Sequence, residues 1–143
     1  MPLVTIDTKE LRELAQEMKA SDLLMVARAR KAVKKVSFAL EKRIKHEMPW
    51  LTGRARASWG HWSGGTRNPD ASEADSVYRE EDGGLTIVQG SNVPYIEALN
   101  AGHSQKAPAG FIDKAAQDAG EVLSDELAFI DILRRVEAGG EGD

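Results

Sequence analysis

"LLMVARARKAVKKVSFALEKRIKHEM", residues 23–48, decides the fold. At about 100° per residue, Val26, Ala29, Val33, Val36, Leu40 and Ile44 fall in one narrow stripe. Arg28, Lys31, Lys34, Lys35, Lys42 and Lys45 fall on the opposite side. Ser21-Asp22 supplies a helix start, and Pro49 stops the helix because proline disfavours helical geometry in the residue before it. The segment 21–48 is therefore one long amphipathic helix with a packed face and a basic face. A helix with an apolar stripe needs another layer to cover it.

Towards the N-terminus, Leu3 to Ile6 form a short β-prone run. Asp7 and Glu10 then have the spacing of a capping box, which starts a helix carrying Leu11, Leu14, Ala15 and Met18 on one face. Residues 1–20 thus form a strand and helix arm. On the C-terminal side, "RARASWGHWS" alternates and reads as a strand, and "GLTIVQGS" is a second strand bounded by glycines. "DSVYREEDGG" adds a third that runs into a turn at Gly83-Gly84. The polar stretch 63–76 is expected to be a mobile loop or hairpin tip. A last helix spans 111–137, with Gly120 as a point where it can divide, and 138–143 reads as a disordered tail. The fold class is α+β. One domain, 1–137, packs a long N-terminal amphipathic helix and a C-terminal helix on a small antiparallel β-sheet (52–99) with long loops.

The chain has 143 residues, 41% of them hydrophobic and 29% charged, which fits one ordinary soluble globular domain. No apolar run approaches the roughly 18 residues that a membrane span needs, so no membrane partner is expected. With no cysteine, disulfides, thiolate zinc sites and cysteine nucleophiles are excluded. The net charge of −4 conceals an asymmetry. From Arg28 to Lys45 the only acid is Glu41, whereas Asp113 to the end is dominated by acids. The two segments can satisfy each other within a subunit or between copies. The alternative for Arg28, Lys31, Lys34, Lys35, Lys42 and Lys45 is contact with a DNA backbone, as in a small DNA-binding protein.

No residues assemble into a catalytic set. His46, His61 and His103 lack the pairings of a metal site. His103 and Ser104, being adjacent, do not aim at each other, and no nucleophile elbow surrounds Ser104. Lys106 sits in a polar loop with nothing to desolvate it. The chain is read as no enzyme, with no cofactor and no metal. Trp50, Trp59 and Trp62 cluster near the end of the long helix, and strand alternation would send one of Trp59 and Trp62 to the core and the other to an interface.

Two stretches carry a resemblance. "MPWLTGRARASW" (48–59) has proline, Thr52-Gly53 and basic residues after a long Ala- and Lys-rich helix. "VPYIEALNAGHSQKAPAGFIDKAA" (93–116) has Tyr95, Glu97, Gly102-His103-Ser104 and Ala107-Pro108-Ala109-Gly110 before a closing helix. In this order and spacing the pair resembles the head–tail joining or tail-completion proteins of long-tailed bacteriophages, similar to the minor-tail-protein-Z and neck-protein group. The resemblance spans residues 20–135, with departures at Leu51, Ala55, Asn100 and Ala101. It implies a structural virion protein, made in the host cytoplasm and placed in the neck or tail region. Such a protein would act as a homo-oligomeric ring of six copies beside other neck and tail proteins, with non-specific DNA contact in the lumen. The expected assembly residues are Thr52, Gly53, Arg54, Arg56, Trp59, Trp62, Tyr95, Glu97, Gly102, His103, Lys106 and Pro108. Within that set, Thr52-Gly53 forms a tight turn, Arg54 and Arg56 leave a strand towards acids of a neighbouring subunit, and Tyr95–Glu97 continues a strand.

Overall fold

The computed structural model describes residues 3–7, 23–50, 52–102 and 107–137. Helix α1 (Leu23–Glu47) buries Val26, Ala29, Val33, Val36, Leu40 and Ile44, the stripe expected from the sequence. On one side α1 meets a three-stranded antiparallel sheet of order β1-β3-β2, formed by β1 (Leu3–Asp7), β2 (Ser76–Glu81) and β3 (Thr86–Ser91). On another side it packs along helix α4 (Phe111–Glu137). The α+β architecture, a long helix and a C-terminal helix packed around a small antiparallel sheet, is as expected.

Strand β3 is buried along its whole length because β1 and β2 flank it. Its register pairs Ile87 with Ile6 and Gln89 with Val4. Successive strand residues face opposite sides, so Val4, Ile6, Ile87 and Gln89 share the face turned towards α1. All but Gln89 belong to the main core cluster, together with Trp59, Ile96, Phe111 and Ile112. β2 joins β3 through a tight turn in which Asp82, Gly83 and Gly84 all have positive φ, as the glycine pair suggested.

Three expectations require correction. "RARASWGHWS" is not a strand. Gly53 turns the chain at φ +85°, the Ala57 amide donates to the Gly53 carbonyl at 2.9 Å, and Arg54–Ser58 closes as the short helix α2. Its buried Ala55, Ala57 and Ser58 are small enough for one helical turn to seat against the sheet, and six residues of alternation do not separate that turn from a strand. Tyr95–Glu97 is likewise no strand: Ile96–Asn100 forms helix α3, with the Leu99 amide donating to Tyr95 and that of Ala101 to Glu97. The 63–76 stretch is tied down, since the Arg67 amide and the Thr66 hydroxyl both donate to the Thr52 carbonyl and Glu73–Asp75 forms a 3-10 turn. Asp7 is the last residue of β1. The helix expected over 8–20 and the tail 138–143 lie outside the described residues. Helix α4 runs unbroken through Gly120.

Candidate assembly site around the Thr52-Gly53 turn

The Thr52-Gly53 turn packs against the indole of Trp50. A Cβ on Gly53 would lie 2.4 Å from that ring, and φ +85° already disfavours any side chain, so both space and backbone geometry require glycine. Immediately after the turn, Arg54 forms a two-pronged ion pair with Asp75, Nε to Oδ2 at 2.9 Å and Nη2 to Oδ1 at 3.1 Å. Asp75 also accepts from the Ser72 amide, closing a capping box. The Arg54 hydrogen bonds hold the Asp75 carboxyl below the usual carboxylate range, against the opposing effect of burial. Arg54 is thus satisfied within its own chain, and the expectation that it meets a neighbouring subunit's acid is not what the fold does with it. Arg56 also turns inward: its Nη2 donates to the Met48 carbonyl at 2.7 Å, capping the end of α1, while its guanidinium lies 5.8 Å from the Trp50 ring centre.

Tyr95 joins this group from 43 positions after Thr52. Its hydroxyl lies near the Thr52 side chain and the Ala55 backbone, and burial, the largest influence, raises its pKa. Thr52, Gly53, Arg54, Arg56 and Tyr95 therefore converge at one place. The ring of Tyr95 and the indole of Trp50 remain 38% and 43% exposed, so this group presents two aromatic faces to solvent.

The other candidate residues are distributed differently. Trp59 is fully buried, its Nε1 donating to Gln89 Oε1 at 2.8 Å, while Gln89 Nε2 donates to the carbonyl and hydroxyl oxygens of Ser37. This chain of bonds ties the end of α2 through β3 to α1, and makes Trp59 a core residue. Beside it the Ser58 and Ser91 hydroxyls are 2.7 Å apart. Trp62 is half-buried, and Glu97, Gly102 and Pro108 are exposed. Gly102 has φ +92° and sits against Ala109. Asn100 closes this loop: its Oδ1 accepts from the Ile112 amide and its Nδ2 donates to Asp113, fixing the start of α4. His103 and Lys106 lie outside the described residues.

On the basic face of α1, Lys35 pairs with Glu126 at 3.1 Å and Lys34 with Glu80 at 3.8 Å. Arg28 is half-buried, and Lys31 and Lys42 are exposed. Lys45 donates to the His61 carbonyl, and burial lowers its pKa. The sequence reading missed the group next to it. Glu41 Oε1 accepts from the His61 amide at 3.0 Å and from its Nδ1 at 2.7 Å. The imidazole stacks on Phe38 and meets Tyr78 at a tilt, at centroid distances of 5.7 and 3.8 Å. The Tyr78 hydroxyl donates to Glu80, and burial with that bond pushes its pKa up to about 12. Glu41, the lone acid among eight bases, was the available signal. This group acts as a clasp joining α1, β2 and the segment after α2.

Among the described residues no group of three or more His, Cys, Asp or Glu is placed to hold a metal ion, and no helix is long and apolar enough to cross a membrane. Comparisons with known protein families, characterised proteins and solved structures find no match.

Proposed function

We propose that the chain is a structural component of a tailed-phage particle that joins the head and neck to the tail or completes the tail. It works as a homo-oligomeric ring in the virion, against other neck and tail proteins, without turnover chemistry. The observation that carries this reading is the meeting of the two motifs behind the resemblance. Tyr95 of the second motif lies beside Thr52 and Ala55 of the first, so residues that resemble one family in sequence are also neighbours in space. The bonding of Arg54 and Arg56 within the chain makes that unit rigid, and a rigid unit presenting Trp50 and Tyr95 suits docking against fixed neighbours.

The test is deletion of the gene from the phage or prophage that encodes it. Particles should then show full heads separated from tails, or tails of abnormal end structure, by negative-stain microscopy. The protein should be present in purified wild-type particles by mass spectrometry. Normal particles from the deletion, with the protein absent from wild-type virions, would sink the reading. A second reading, a small DNA-binding protein, draws on the exposed Lys31 and Lys42. It stands second because Lys34 and Lys35 already face acids of the same chain and the net charge is −4.

A further inference from the structure

Helix α4 carries an outward row that nothing in the described chain covers. Val122, Asp125, Phe129 and Ile132 recur at i, i+3, i+7 and i+10 and so share one face. The three apolar members are 51%, 57% and 55% exposed. A shallow groove lined by Val122, Asp125, Glu126 and Phe129 runs along the same face. Three large apolar side chains in one row on a small domain mark a contact surface.

Helix α1 carries a row of opposite charge. Leu24, Lys31, Phe38 and Lys42 fall at i, i+7, i+14 and i+18, again on one face, and all are exposed. Leu24 and Phe38 are 51% and 48% exposed. Among the described residues no acid pairs with Lys31 or Lys42, and no base pairs with Glu121 or Asp125. One molecule thus offers an acidic–apolar row and a basic–apolar row, each left unmatched by its own fold.

We infer that the α4 row of one copy docks on the α1 row of a second copy of this chain. The apolar members bury one another, and Glu121 and Asp125 meet Lys31 and Lys42. Where each copy uses one row on each of two neighbours, the contact is head-to-tail, and repetition gives the proposed ring when the rotation between copies closes. The inference rests on the homo-oligomeric part of the proposed function and supplies its interface.

The test is sedimentation analysis of the full chain against three sets of variants, with circular dichroism to verify helix content. Val122→Glu with Phe129→Glu should raise the dissociation constant of the assembly by roughly 30-fold or more, the scale of lost interface anchors. Lys31→Glu with Lys42→Glu should weaken association alone, as should Glu121→Lys with Asp125→Lys. Combining both reversals should restore it, which a merely misfolded variant would not do. An oligomer unchanged by the Val122/Phe129 variant overturns this interface and leaves the ring reading standing. A wild-type chain that stays monomeric at every concentration overturns both. Association insensitive to the lysine reversals, alongside salt-dependent duplex-DNA binding lost in them, overturns the inference and assigns the α1 row to DNA.

Discussion

Asp75 shows how a single side chain fixes the candidate site. Its carboxylate holds Arg54 with two bonds, both side chains are largely shielded from water, and its capping box fixes the turn that leads into β2. Replacing Asp75 with Asn leaves the Arg54 charge without its partner, a loss of about 1–3 kcal/mol. The carboxyl is held below its ordinary value of about 3.9, so its stabilisation is complete above that value and disappears as pH falls through the depressed one. Urea midpoints should therefore separate wild type from Asp75→Asn at pH 7, and the gap should close towards pH 2. Equal midpoints at pH 7 would mean that the pair contributes nothing. None of this was legible beforehand, because a two-pronged pair between positions 54 and 75 depends on where two separate turns bring them. The same holds for Tyr95 and Thr52, whose importance was suggested by resemblance and whose contact was not.

At the scale of elements, legibility followed length. Twenty-five residues of helical period made α1 and its buried face readable, and the glycine-bounded hairpin of β2 and β3 followed from β-branched residues and a turn signal. The five-residue helices were misread: Arg54–Ser58 and Ile96–Asn100 are each little more than one turn, and their geometry is set by Gly53 and by packing, not by a repeating pattern. Gly120 was a third uncertainty, since glycine weakens a helix without forbidding it. It sits exposed inside α4, and a Cβ added there would meet no atom within 4 Å. Gly120→Ala should therefore stabilise the protein by about 0.5–1 kcal/mol through reduced freedom of the unfolded chain. A melting temperature raised by a few degrees would show it. A fall would mean that α4 needs flexibility at that point.

Across the whole molecule, α1 is the common partner of the sheet and of α4, and the charge asymmetry of the sequence is partly resolved along it. Arg43 pairs with Asp118 at 2.8 Å and Lys35 with Glu126, so basic α1 and acidic α4 face each other within one chain. The remainder of each charged row is what the proposed ring uses. The sheet poses the converse problem. Its central strand, "TIVQGS", has no charged residue and no proline, the features that keep an open strand edge from pairing with other chains. It is protected only by its two neighbours: β2, with Arg79, Glu80 and Glu81, and β1, which links the start of the chain to residues 86–90. β1 also places Val4 and Ile6 in the core, worth about 3–6 kcal/mol together at about 1.5–3 kcal/mol for each buried side chain. That is a large share of the about 5–15 kcal/mol typical of a domain. Removing residues 1–7 should therefore do two things at once: lower the melting temperature sharply, and open a neutral β3 edge that draws copies into irregular aggregates. Light scattering would rise with concentration, and the aggregates would differ from the closed assembly in having no fixed sedimentation boundary. A truncated chain that melts like wild type and scatters no more light would show that the sheet does not depend on its first strand.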